Sequence, residues 1–340
     1  MNLHYCKYLK TKTVVKIKLK CINIFENMNL KREYQDFEVT EEYIDTLPDL
    51  QNGPSSLIKG ANVSIEHVGI HNFKLPLTIP TKDGKEVVVE ASITGTVSLE
   101  ANKKGINMSR IMRNFYEYSN KTVTLDTLEE ILHAYKEKLG SFDAHIFMSF
   151  SYPMLVQSLR SKLKGYQFYK TTLEVNLDKN DIIKRFIHLD FVYSSTCPCS
   201  TELSLHAMEN RNVLATPHSQ RSIARVTVQF DDKQIWIEEL IEKCREALKT
   251  EVQVLVKRET EQAFAELNGA YLKFVEDAVR LVYEQLIKDE RILDFKVICV
   301  HCESLHAHDA IAVITKNVEG GLQATFSQSE IHDIVLNSIL

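Results

Sequence analysis

Three polar clusters in the second half of the chain hold the side chains best suited to chemistry. The first is "TCPCS", with Cys197 and Cys199 on either side of a proline. The second is "TPHSQRS", which carries His218, and the third is "HCESLHAHD", which places His301, His306 and His308 in a loop between two strand-like runs. Between the second and third lies "VKRETEQAFAE", with Glu259, Glu261 and Glu266 ahead of a helical stretch. A thiolate, an imidazole and a carboxylate can give a tetrahedral zinc three protein ligands and leave a fourth position for water. A metal-bound water ionises near neutral pH, so such a set points to hydrolysis at an electrophilic carbon. The ligands are mixed in softness, so manganese or iron could replace zinc. A redox pair is the poorer reading of Cys197 and Cys199, because so small a disulfide ring strains the required geometry.

The elements that must position these clusters follow from periodicity. In "KEVVVEASITGTVSLE" the residues Val87, Val89, Ala91, Ile93, Val97 and Leu99 alternate with polar neighbours, the mark of a long strand with one buried face. Asp83-Gly84 predicts a hairpin that pairs it with "HNFKLPLTI". Asn107 is expected to cap a helix through "MSRIMRNFYEY", and "TLDTLEEILHAYKEKL" reads as an amphipathic helix with a capping-box start. Strands are expected at "AHIFMSFSYPML" and "GYQFYKTTLEVNL".

The second half repeats the order. "IKRFIHLDFVYSS" and "SIARVTVQF" read as strands, the latter alternating through Ala224, Val226, Val228 and Phe230. "KQIWIEELIEKCREALK" is helical, and "AYLKFVEDAVRLVYEQLI" places Leu272, Val275, Val279, Val282 and Leu286 on one stripe. "DFKVICVH" and "DAIAVITK" close the second half as strands. The expected fold is α+β: two tandem ββααββ units with antiparallel sheets and the helices on one face. The expected divisions are an extension and linker over 1–58, a first unit over 59–180, a second unit bearing the metal site over 181–318, and a C-terminal segment over 319–340.

Composition sets the outer limits. The 340 residues are 44% hydrophobic and 26% charged, which is globular, and the formal net charge of -5 argues against a general nucleic-acid binder. No run of eighteen apolar residues occurs, so no helix is expected to span a membrane. The seven cysteines, Cys6, Cys21, Cys197, Cys199, Cys244, Cys299 and Cys302, are expected to be reduced, as in the cytoplasm. Residues 1–28 are lysine-rich, lack arginine and have no continuous apolar core, and read as a poorly ordered tail rather than a targeting signal.

Taken together and in this order, "STCPCSTELS", "TPHSQRS", "KRETEQAFAELNG", "FVEDAVR" and "HCESLHAHDA" resemble the prokaryotic-type GTP cyclohydrolase IB family. The first half agrees through "IEHVGIHNFKLPL" and "KKGINMSRI", so the resemblance covers roughly residues 60 to 315. It implies the tunnelling fold in a homotetramer, with conversion of GTP and water to 7,8-dihydroneopterin triphosphate and formate, the opening reaction of folate synthesis. It implies a divalent metal, zinc before manganese or iron, held by Cys197, His218 and Glu261. Glu276 would accept from the N–H edge of guanine, His306 and His308 would move protons near the reacting ring, and Arg110, Lys104 and Arg221 would meet the triphosphate. Cys199 would pack or shape the turn rather than bind metal.

Two departures from the family pattern stand out. "HAMENRNVLA" lengthens the spacing from Cys197 to His218 and is expected to project as a loop. Asn107 stands where many members carry histidine, and an amide cannot relay a proton. Three rival functions remain at this level. One is a tunnelling-fold nitrile reductase of queuosine synthesis, with a nucleophilic cysteine. Another is a cyclohydrolase that releases the cyclic phosphate of dihydroneopterin, and the last is a zinc-stabilised interaction protein.

Overall fold

The long alternating run of the first half forms the strand it predicts. In the computed structural model, which describes residue 34 and residues 36–337, β1 (Ile65–Pro80) and β2 (Glu86–Leu99) form a hairpin. Its turn is closed by the Gly84 N–H on the Thr81 carbonyl at 3.0 Å, with Gly84 at φ 77°. Val89, Ala91, Ile93, Val97 and Leu99 are buried, and the polar partners between them are not. The lysine-rich leader, Cys6 and Cys21 lie outside the described residues. The other five cysteines are free thiols.

Two compact units divide between Asp49 and Leu50, inside the stretch expected to be a linker. Among the described residues of the first unit, the helix Glu41–Asp45 is capped by Thr40, whose hydroxyl accepts from the Tyr43 N–H.

The second unit holds an eight-stranded antiparallel sheet in simple sequence order. After the first hairpin come α1 (Ser109–Tyr118), α2 (Leu125–Leu139), β3 (Ala144–Gln157) and β4 (Lys164–Leu177). Then follow β5 (Ile183–Thr196), α3 (Pro198–Arg211), β6 (Ser219–Phe230), α4 (Ile237–Leu248), α5 (Arg258–Ala270), α6 (Val275–Leu286), β7 (Ile292–His301), β8 (Ala310–Thr315) and α7 (Gln328–Asn337). The ββααββ order occurs in the first half, and the second half keeps its four strands but adds α3 between β5 and β6 and α5 between α4 and α6. The sheet runs through the boundary expected at residue 180, because β4 pairs with β5 from Thr171–Leu189 to Leu177–Ile183.

Helices α1, α2, α4 and α6 bury apolar stripes in one continuous core on one face of the sheet. The close approach of α1 and α2 depends on Gly95 in β2, where a Cβ would lie 2.9 Å from Ile111 Cγ2 and 3.1 Å from the Tyr135 hydroxyl. The capping box expected for α2 is formed by Thr124 and Thr127, and Gly140 ends the helix in the left-handed conformation. Helix α1 begins at Ser109 with Met108 as its cap. Asn107 is one residue too early to cap it and accepts instead from the Ser109 hydroxyl at 2.6 Å.

Three helical features depart from the sequence expectation. The long helix drawn through residues 270–287 starts only at Val275. Phe274 is its cap, held by the Asp277 carboxylate at 3.0 Å, so Leu272 precedes the stripe that Val275, Val279, Val282 and Leu286 do form. The segment around Glu261 is a helix of its own, α5. The expected loop at "HAMENRNVLA" is largely the second half of α3, which Asn212 closes at φ 54°.

A last helix, α7, lies on the opposite face of the sheet. There β6 and β7 carry a second apolar set, Ile223, Ile298 and Val300, and Ile334 of α7 covers it. Asp333 fixes the helix by accepting from Arg225 at 2.8 Å and Lys170 at 3.0 Å, while Arg225 also grips Asp190 with two bonds of 2.6 Å. Strands apolar on both faces need cover on both. Among the described residues no helix is long and apolar enough to cross a membrane.

Candidate functional site

Three adjacent strands deliver the polar clusters to one end of the sheet. The register pairs Thr196 of β5 with Ser219 of β6, and Ser222 of β6 with His301 of β7. Cys197 leaves β5 as the cap of α3, with Pro198 supplying the fixed φ suited to a first helical turn. Its N–H donates to the His218 carbonyl at 3.2 Å, so the two candidate ligands are neighbours by backbone. The Ser200 hydroxyl accepts from the His218 N–H at 3.1 Å and ties the same pair from the helix side. Cys199 sits exposed in the first turn, away from any packing role, while Cys197 is half-buried.

The His218 ring is oriented by its neighbours. Its Nδ1 lies 3.0 Å from Gln220 Oε1 and 3.5 Å from a Glu303 carboxylate oxygen. Gln220 donates its Nε2 to Ser195 Oγ at 2.9 Å, which leaves its Oε1 as an acceptor. The proton therefore sits on His218 Nδ1 and the lone pair on Nε2, as a metal-binding imidazole requires. Sequence reading missed Gln220 and Glu303. Both stand inside quoted motifs, two residues from a histidine or a strand end, and only the register brings them to one ring.

The remaining candidates are distributed more widely. His306 and His308 occupy the exposed loop after β7, with stacked rings 4.8 Å apart and 11° from parallel. His301, grouped with them by sequence, is instead the buried last residue of β7, and its Nε2 meets the Tyr193 hydroxyl at 2.9 Å. Burial and the nearby Lys273 charge push His301 down to about 4. Arg221 is exposed on β6, opposite Ser194.

Glu276 is exposed in the first turn of α6, and the Lys273 N–H, three residues earlier, donates to the Thr196 carbonyl at 3.3 Å. The start of α6 thus lies beside the Cys197 turn.

Glu261 does not join the pair within this chain. It is exposed in the first turn of α5, and the far end of that helix meets β5 through Asn268 and Thr196 at 3.4 Å. Glu261 stands seven positions before Asn268 in the helix, about 10 Å along the axis. The Glu261 end of α5 is held to the β3–β4 hairpin by the Ser161 N–H on Thr260 Oγ1 at 3.3 Å and by the Arg160–Glu266 pair. Among the described residues no group of three or more His, Cys, Asp and Glu side chains is gathered closely enough to hold a metal ion.

The triphosphate candidates of the first repeat also lie apart. Arg110 donates to the Lys138 carbonyl at 2.6 Å, where it caps α2, and Lys104 is partly buried in the turn before α1. Neither makes a hydrogen bond or ion pair to the β5–β7 strand ends among the described residues.

With this geometry in place, comparison with known proteins is specific. The family described as type I GTP cyclohydrolase FolE2 matches residues 47–312. The GTP cyclohydrolase FolE2 of Dinoroseobacter shibae is 58% identical over 292 residues, covering 85% of this chain and 79% of its own length. That of Paracoccus denitrificans is 55% identical over 288 residues, covering 84% and 89%. Among solved structures, uricase from Arthrobacter globiformis superimposes with a TM-score of 0.48 at 10% identity, over 76% of this chain and 95% of that one.

Proposed function

The chain belongs to the type I GTP cyclohydrolase FolE2 family, and from that premise we propose how its residues carry out the reaction. It is a GTP cyclohydrolase acting in folate and pterin biosynthesis, which decides against the nitrile reductase and the interaction protein. The product is 7,8-dihydroneopterin triphosphate with release of formate, formed in the cytoplasm.

Cys197 and His218 would hold a divalent metal, zinc before manganese or iron, and Glu261, which lies apart from them in this chain, would serve as the carboxylate ligand when brought to the pair in the assembled enzyme. The observation that carries this reading is the oriented His218 ring: Gln220 and Glu303 occupy Nδ1, and the sulfur-bearing residue is bonded to the same backbone. The donor chemistry of the pair suits such an ion. When bound, the metal supplies an activated water at neutral pH.

The other roles belong to the chain's own groups. Glu276 accepts two N–H bonds from guanine and fixes which edge of the purine faces the strand ends. His306 and His308 take up and return protons as the imidazole ring opens and formate leaves. Arg221, Arg110 and Lys104 neutralise the triphosphate. Arg110 and Lys104 belong to the first repeat, and a homotetramer would supply them from a neighbouring copy.

Incubation of the purified protein with GTP and zinc or manganese tests the reading. Formate should appear in step with a pterin that fluoresces after oxidation, and a chelator should stop both. Formation of the cyclic phosphate instead of the triphosphate would change the product assignment alone. Turnover unaffected by exhaustive metal removal would refute the metal site.

A further inference from the structure

Lys273 is buried to 2% exposure, and among the described residues its ammonium has no carboxylate partner. It donates to the Tyr271 carbonyl at 2.6 Å and to Thr250 Oγ1 at 3.1 Å. Thr250 is itself fully buried, and its hydroxyl donates a hydrogen bond to the Ser194 carbonyl. The Lys273 main chain makes the second link, through its N–H to the Thr196 carbonyl at 3.3 Å. Backbone and side chain of one residue thus reach Thr196 directly and Ser194 through Thr250, two of the last three residues of β5 before Cys197. Lys273 also leads directly into the rigid cap of α6, where Phe274 is held by Asp277, and Glu276 follows.

The surroundings give this ammonium no electrostatic return. The ionisable group that feels this charge is His301 at the end of β7, whose ring meets Tyr193; Cys299 of β7 and Cys244 of α4 interact with Tyr193 in turn, and Glu251 follows Thr250 in the chain. His301 stays neutral, burial pushes the Cys299 thiol up to about 12 and Cys244 higher still, and Glu251 is engaged by Arg245 and Tyr169. Burial alone pushes Lys273 down to about 8. A buried cation without a counter-charge lowers stability, and an apolar side chain of equal length would be tolerated at least as well. What lysine adds is the span from the entrance of α6 to Thr250.

We propose that Lys273 is a positioning residue for the cyclohydrolase reaction: through Thr250 and Thr196 it fixes the distance between the Cys197 turn and Glu276. The inference rests on the reading that these two residues hold the metal and the guanine. A fixed distance places the reacting carbon of the bound purine against the metal site. The hydrogen bonds of Glu276 and the phosphate contacts are left intact by changes at Lys273. Loss of the clamp therefore acts on turnover and spares binding.

The test compares Lys273→Met, Thr250→Val, the double variant and Cys197→Ala in the metal-loaded full-length protein. A misplacement near 1 Å costs about 10²-fold. Lys273→Met should lower kcat by about that factor, with KM for GTP, bound metal and the unfolding temperature unchanged or, for the last, raised. Thr250→Val breaks the same link and should show the same split, and the double variant should be no worse than either single one. A purely structural role would lower the unfolding temperature along with kcat, and that result overturns the proposal. So does a Lys273→Met enzyme within twofold of the parent, or losses that multiply in the double variant. If Lys273→Met does not fold, the kcat of Thr250→Val decides alone. Cys197→Ala separates the two levels: retained turnover there removes the metal-site reading itself, whereas its loss beside a normal Lys273→Met removes only the clamp.

Discussion

The two repeats share a four-strand plan and a sheet, yet they use their interiors differently. In the first repeat the buried polar side chains are Thr81, Asn114, Ser141, Ser158 and Thr171, none of them charged and none a histidine. The second buries Asp190, Glu251, Lys273, Asp294 and His301 along with Gln220, Ser195 and Ser222. Helix α2 of the first repeat packs Leu125, Leu128, Ile131, Leu132 and Tyr135 on the sheet, a solution governed by apolar area alone. The second repeat accepts the cost of polar burial at the ends of β5, β6 and β7, where Cys197, His218 and Glu303 meet. Polar networks are worth that cost where geometry must be unique. Those of Lys273, His301, Gln220, Ser195 and Ser222 lie at the strand ends of the proposed chemistry, whereas Asp190 and Asp294 serve the α7 face and the start of β7.

The sharpest way to break this contrast pairs one substitution from each repeat. Cys197→Ala should abolish GTP turnover and bound metal while leaving the unfolding midpoint within a few degrees of the parent. Ile93→Ala, in the fully buried centre of β2, should cost about 2–5 kcal/mol of stability. Its folded fraction should still turn over at the parental kcat. Denaturant melts together with active-site-normalised kinetics measure both. An Ile93→Ala enzyme that folds fully but loses turnover would tie the packing of β2 to the proposed chemistry of the second repeat.

The same contrast explains what could be read from sequence. Strand β2 was legible because one buried face imposes strict alternation on Val89, Ala91, Ile93, Val97 and Leu99. Helices α3 and α5 were not. Helix α3 buries only Ser204 and Ala207, and α5 only Thr260 and Ala263, so neither carries an apolar stripe to announce a helix. Cys197, His218 and Glu276 could be nominated because their motifs are local. Gln220, Glu303 and Lys273 could not, since each acts through partners set by strand register or by segments far along the chain. His301 was grouped with the wrong histidines, because adjacency in a motif says nothing about which residue ends a strand and turns inward.

A smaller effect sharpens the comparison within the second repeat. Glu303→Gln keeps the shape beside His218 but removes the carboxylate 3.5 Å from Nδ1. Partners behind a metal-binding histidine are worth 10- to 100-fold in metal affinity, so a loss of about that size is expected. Metal titration with a competing chelator measures it, with folding unaffected. An unchanged affinity would mean that Glu303 contributes nothing to His218 as a ligand.

The smallest effect concerns acid stability, and it again separates the repeats, because only the second buries a histidine. His301 is held at about 4, against an ordinary 6.5, chiefly by burial and then by the charge of Lys273. In the folded state the ring stays neutral down to about 4, whereas the unfolded chain takes up the proton from 6.5 downward. Between those limits the unfolded state binds more protons, so stability falls as the pH is lowered, and the loss is complete below about 4. The full difference is worth roughly 3 kcal/mol. Depressed carboxylates such as Asp333 have the same sign, but their loss begins only as the pH enters the ordinary carboxylate range, which leaves pH 6.5 to 5 to histidine. His301→Gln keeps a hydrogen-bond partner for Tyr193 and cannot titrate, so its stability should fall less than the parent's between pH 7 and 5 in urea melts. Lys273→Met removes the second cause of the shift and should shrink the parent's loss only in part. Equal acid sensitivity in the parent and His301→Gln would show that the ring is not the buried neutral group at the end of β7.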